Sequence, residues 1–162
     1  MTADISEIRL DESARPEATS REAQEAGVAI FDLTEESHLA VPGGPAGPYA
    51  MTVGRDDAGV RFVLATAGGA TAAAFMLPAA ALAQPAKDYA DICASYVAAV
   101  KSLPPARIEA LDAARRDIHT AGAQRVLELL DASVTTDLAT ARRLFTLFCA
   151  IHAADIPAAR AS

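Results

Sequence analysis

The sequence predicts an α+β fold in which a small antiparallel meander packs with an N-terminal helix and a C-terminal three-helix segment. Two hydrophobic periods carry that prediction. Between Tyr49 and Leu77, short runs alternate apolar and polar residues and are broken by turn residues, the pattern of a sheet with one covered face. After Pro85 the period becomes 3.6 and holds to Ile151, interrupted at Pro104-Pro105 and at Ser133–Thr136. Composition supplies the third observation: 162 residues, 52% hydrophobic and 22% charged, provide enough apolar surface for one core. With aromatics at 5% and no Trp, that core must be aliphatic and alanine-rich, with helices in close approach.

Taken in order, Ile5 to Asp11 alternates Ile8 and Leu10 against Arg9 and predicts a short strand. Thr19-Ser20-Arg21-Glu22 reads as a capping box that opens a helix ending near Glu36, with Ala23, Ala26, Ile30 and Leu33 on one face. Val41 to Pro48 is a loop by its prolines and glycines, and His38–Val41 is expected as an edge strand. Three strands follow, Tyr49–Val53, Val60–Thr66 and Thr71–Leu77, joined by Arg55–Gly59 and Ala67–Ala70. From Pro85 a helix carries Tyr89, Ile92, Cys93, Tyr96, Val100 and Leu103 as its packing stripe. A second runs from Pro105, suited to a first-turn position, to about Leu130. Asp137 caps a third through Ile151, whose wide apolar arc marks it as the central helix. The expected organisation is one domain over residues 1–156, sheet-rich to 84 and helical from 85, with a loose tail over 157–162.

The formal net charge of −7 is unevenly placed. Five basic and twelve acidic residues precede Pro85, and nine of each follow. An acidic chain without a basic stripe is not expected to bind nucleic acid or anionic membranes. Ala70–Gln84 resembles a secretory apolar segment ending at Ala81-Leu82-Ala83. It is shorter than the roughly 18 residues a span needs and is preceded by fifty patterned residues. Met1–Glu7 has neither a basic region nor an apolar run, so no signal peptide is expected.

The residues with chemical potential lie on the second C-terminal helix. Asp112, Arg115 and His119 project from the same face as Ile108, Leu111, Ile118, Val126 and Leu129, with Arg116 at its flank. A buried charge without a partner is costly, so polar groups there imply either a ligand or internal pairing. Two guanidinium groups and an imidazole could grip a carboxylate or phosphate, and Arg142 at the edge of the last helix could join them. Structural ion pairing between helices is the commoner use of such a set. Cys149 and His152 have the spacing of a metal half-site, but nothing nearby completes it, so no metal is expected. His152 reads as a buried neutral histidine. Cys93 and Cys149 read as small core residues in a reducing compartment, with a single disulfide left open. The glycines match no dinucleotide fingerprint or P-loop, and no cofactor is expected.

Asp4–Ile8, Lys87-Asp88-Tyr89 with Ile92–Tyr96, Ile108–Ala110 with Asp112, Arg115-Arg116 and His119, and Thr140–Leu147 are specific as a set. Together they resemble an uncharacterised family of short alphaproteobacterial proteins without assigned activity. The likeness covers nearly the whole length and departs at Ala70–Ala86 and after His152. It implies a cytoplasmic single-domain protein and brings no substrate, cofactor or catalytic residue. The function expected is therefore a non-enzymatic binding or regulatory module for a protein partner or a small anionic ligand. The alternative is a small enzyme acting on a phosphate- or carboxylate-bearing substrate through Arg115, Arg142 and His119. Homodimer assembly through surplus apolar helix surface is a third reading.

Overall fold

The computed structural model describes residues 2–130 and 132–153. The chain is α+β, as the two periods imply, and its main sheet is mixed. Strand β1 (Ile5–Leu10) leads through a 3-10 turn (Glu12–Ala14) to helix α1 (Arg21–Glu35), then β2 (Leu39–Ala40), β3 (Tyr49–Asp56), β4 (Gly59–Ala65) and β5 (Thr71–Pro78). Helices α2 (Ala79–Ser102) and α3 (Pro105–Leu130), strand β6 (Thr135–Thr136) and helix α4 (Leu138–Ala153) complete it.

Strands β3, β4 and β5 form the expected antiparallel meander, with Phe62 opposite Val53 on one side and Phe75 on the other. Its inward face carries Met51, Val53, Val60, Phe62, Leu64 and Leu77, all essentially without exposure. The sheet order is β1-β3-β4-β5, and β1 runs parallel to β3. The connection between them contains α1, and parallel neighbours need a crossover of that kind. The segment expected as an edge strand lies elsewhere. Leu39–Ala40 pairs antiparallel with Thr135–Thr136, read from sequence as a link, in a separate two-stranded ribbon.

Helix boundaries differ from expectation in two places. Helix α1 begins one residue later than the capping-box reading: Ser20, not Thr19, is the cap, and its hydroxyl accepts the Ala23 amide at 3.1 Å. Glu22 is thereby freed from capping. Helix α2 begins at Ala79, six residues before Pro85, which lies inside it. The alanines at 79–81 and 83 favour the helix strongly, and Pro85 removes only its own amide from the ladder.

Helix α4 is the central element, with Ala141, Leu144, Phe145, Leu147, Phe148 and Ile151 fully enclosed. Asp137 caps it by accepting the Thr140 amide at 2.8 Å. Helix α3 reaches α4 through Gly122, where an added Cβ would lie 2.4 Å from the Phe145 ring. Glycine is required there by space. The far ends of α2 and α3 form a hairpin that leaves this core.

Candidate functional site

On α3, Asp112 sits between its two arginines and accepts hydrogen bonds from both, Arg115 at i+3 and Arg116 at i+4. The Asp112 side chain is 26% exposed, Arg115 37% and Arg116 63%, so the arginine expected at the flank is the solvated one. The Arg115 guanidinium also lies over the Tyr96 ring of α2, 4.3 Å from its centroid. Arg115 therefore joins α3 to α2 and is already committed to an acid and an aromatic face.

His119 lies one turn further along α3, enclosed by the rings of Tyr89 at 4.9 Å and Phe145 at 5.5 Å. Its Nε2 is 2.7 Å from the Thr146 hydroxyl, and that hydroxyl donates its proton to the Arg142 carbonyl. Nε2 must therefore be the donor, which fixes the neutral tautomer by the network around it. Burial is the main cause of a pKa lowered to about 4, and the charges of Arg142 and Arg115 push the same way. Arg142 donates to the Thr120 hydroxyl and meets no carboxylate among the described residues. The five sequence candidates thus lie together at the α3–α4 and α3–α2 seams, with their hydrogen-bonding capacity spent mainly on one another and on threonines.

A different set of side chains surrounds open space. Helices α1, α2 and α4 bound a partly enclosed cleft of about 110 Å³. Ala86, Tyr89, Ala90, Cys149 and Ala153 supply its walls, and Arg21, Glu25, Cys93 and His152 supply polar tips. Burial raises the pKa of the half-buried Glu25 carboxyl; Arg21 opposes that rise and Glu22 adds to it. The Arg21–Glu25 pair is loose, at 3.7 Å, and both side chains are about half exposed. Burial also raises the Cys93 thiol, against the pull of the neighbouring Tyr89 hydroxyl, and raises Cys149 further. Both cysteines are free thiols at neutral pH. His152 stacks on Phe148 at 5.2 Å. Among the described residues no group of three His, Cys, Asp or Glu side chains is placed to hold a metal ion.

A wider depression lies beside the β2–β6 ribbon, but its carboxylates have structural work. Asp4 accepts the Leu39 amide and Asp137 caps α4. The α1–α2–α4 cleft is the better candidate, because its polar groups converge on space rather than on backbone. Sequence reasoning missed Arg21, Glu22, Glu25 and Tyr89 as cleft residues. The one available signal was the shared face of Cys149 and His152; the arrival of α1 opposite them is a long-range event.

Tyr89 connects the two regions, since it lines the cleft on one side and packs on His119 and Phe145 on the other. Among the described residues no helix is long and apolar enough to cross a membrane.

Comparison with known proteins agrees with the resemblance carried by the sequence motifs. A family model described as an uncharacterised protein family, UPF0262, matches residues 2–154. A UPF0262 protein of Paracoccus denitrificans (strain Pd 1222) is 44% identical over 149 residues, covering 89% of this chain and 92% of the relative. One from Jannaschia sp. (strain CCS1) is 44% identical over 91% and 96% of the two chains. One from Dinoroseobacter shibae is 43% identical over 90% and 95%. No solved structure matches the chain.

Proposed function

The chain belongs to the UPF0262 family, an uncharacterised family with no assigned function, and we propose that it is a non-enzymatic cytoplasmic binding module for a small anionic ligand held in the α1–α2–α4 cleft. One observation carries this reading. The cleft is walled by small and aromatic side chains and has at its mouth a loosely paired guanidinium beside a carboxyl driven toward its neutral form. An incoming carboxylate or phosphate takes the planar fork of Arg21 in place of Glu25, and a protonated Glu25 donates a hydrogen bond instead of repelling the anion. The cleft is small beside the roughly 300 Å³ or more of ordinary ligand pockets. It suits a compact acid or the head of a longer molecule. The free thiols fit a reducing compartment.

Geometry weighs against the enzymatic alternative. A general base working near neutral pH needs a pKa near its operating range, and His119, lowered to about 4, is tied to Thr146. Arg115, the expected anion clamp, ends on Asp112.

The test is a thermal-shift screen of inorganic phosphate, acetate and phosphorylated or carboxylated metabolites. It is read alongside protection of Cys93 from a thiol reagent. The expected hit raises the melting temperature and slows Cys93 labelling in the native chain. It does neither with Arg21→Ala, and it binds more weakly as pH rises and Glu25 ionises. If no anion stabilises the chain, or if a hit acts equally on Arg21→Ala, the reading fails.

A further inference from the structure

We propose that two copies of this chain pair through the outer face of α2, antiparallel across a two-fold axis near Tyr96 and Val97. This inference does not depend on the cleft ligand. Helix α2 has 24 residues, about 36 Å at the α-helical rise. Of the residues from Ala94 to Arg107, Ala99 alone is buried. The hairpin made with α3 therefore stands clear of the core, and a helical pair by itself can cover only one seam.

The uncovered side is apolar where a solvated helix would be polar. Six large hydrophobic side chains are exposed among the described residues, and three of them fall within seven positions: Val97 at 44%, Val100 at 54% and Leu103 at 39%. At 100° per residue, Ile92, Tyr96 and the buried Ala99 mark the side turned to α3. Ala90, Ala94, Val97 and Lys101 mark the opposite side, with Val100 at one edge and Asp91 at the other. The two alanines leave room for another helix to approach closely.

Charge selects the occupant and its direction. Along this face the acid Asp91 lies toward the N-terminus and the base Lys101 toward the C-terminus, ten residues apart. A parallel copy would set like charge against like. An antiparallel copy sets Asp91 against Lys101 at both ends and Val97 against its own counterpart in the middle. Lys101 meets no carboxylate in its own chain among the described residues. Asp91 already holds Lys87 at 2.7 Å, and a carboxylate can accept from a second ammonium. Two hairpins joined in this way make a four-helix arrangement, the usual solution for amphipathic helix pairs.

Sedimentation velocity and light scattering on the whole chain test the proposal. The native protein is expected at twice its 16.7 kDa mass at about 100 μM. Val97→Glu combined with Val100→Glu is expected to give a monomer with an unchanged circular dichroism spectrum, since both positions are exposed. Asp91→Lys and Lys101→Asp, each alone, place like charges opposite one another and weaken pairing by about tenfold or more. An equimolar mixture of these two variants restores the dimer, because every facing pair in the mixed species is then opposite in sign. That recovery cannot come from folding, and it keeps the test valid if the valine variant is unstable. A native monomer at this concentration overturns the proposal, including one that captures a different protein on α2. A dimer that survives the valine substitutions, or a mixture that fails to recover, also overturns it.

Discussion

Alanine at Gly122 and alanine at Gly27 should move stability in different directions, although both remove a glycine from a helix interior. Each substitution removes the same backbone penalty, about 1 kcal/mol in favour of the variant. At Gly27 nothing lies within 4 Å of the added Cβ, so that gain is unopposed. At Gly122 the added carbon would lie 2.4, 2.5 and 2.7 Å from three atoms of the Phe145 ring. Ordinary carbon contacts are about 3.5–4.0 Å, so the ring or the helix must give by about 1 Å. Phe145 is fully enclosed and has the Tyr89 and His119 rings against it, so the displacement spreads into packed neighbours. Overpacking of that kind costs about 1–3 kcal/mol. Because the propensity gain is common to both variants, the difference between them reads the overpacking alone. At roughly 2–4 °C per kcal/mol for a chain of this size, Gly122→Ala should melt roughly 2–12 °C below Gly27→Ala. Urea unfolding followed by circular dichroism gives the same difference as free energy. If the two alanine variants are equally stable, α3 does not approach α4 over Phe145 as described, and the placement of His119 beside that ring falls with it.

Two further outcomes follow from the polar cluster. His119 is neutral when folded and has a pKa near 4 against 6.5 in its ordinary state, so the unfolded chain binds the proton first. Its contribution is present above about pH 6.5 and lost as pH falls toward 4; melting curves of His119→Gln should show a flatter pH dependence than the native chain over that window, and identical slopes would remove the burial argument. A double-mutant cycle on Asp112 should give a coupling of about 0.5–1 kcal/mol with the more enclosed Arg115 and about 0.3 kcal/mol with the solvated Arg116; equal couplings would mean that enclosure and the Tyr96 ring add nothing.

What could be read from sequence was local. Helix α3 was legible to its ends because Pro105 sets a first-turn dihedral and the 3.6 period runs unbroken to Leu130. The meander was legible because its turns lie within a few residues of its strands. Ser20 and Thr19 are adjacent hydroxyls, either able to cap, and only the final position of the Ala23 amide separates them. The parallel pairing of Ile8 with Met51 and the ribbon of Leu39 with Thr136 join segments far apart in the chain, so no short-range pattern encodes them. The polar candidates were correctly grouped, since helical spacing alone brings Asp112, Arg115 and His119 to one side. Their partners on other helices, Tyr96, Thr146 and Tyr89, were not legible. The stripe on α2 shows the limit most plainly. Periodicity identified Val100 and Leu103 as apolar-face residues, but it does not say what covers that face, and their own chain leaves it open.

The polar cluster makes physical sense once α2 is recognised as the element common to every feature described. One side of α2 offers Tyr89 and Cys93 to the cleft, and Val97, one turn beyond Cys93, faces outward. A helix whose far half lacks a core beneath it would fray unless its partner gripped it, because helical stability in proteins comes mainly from packing. Asp112 fixes Arg115, and Arg115 lies flat on Tyr96, so a charged pair and an aromatic face replace the missing core on the α3 side. Such a clamp pins the direction of α2 without filling the cleft or covering the outer face. It also accounts for charges on an apolar stripe without invoking catalysis. Truncating Arg115 would then loosen the hairpin, and with it both the cleft wall at Cys93 and the surface around Val97. Truncating Arg116, which touches only Asp112, would leave both in place.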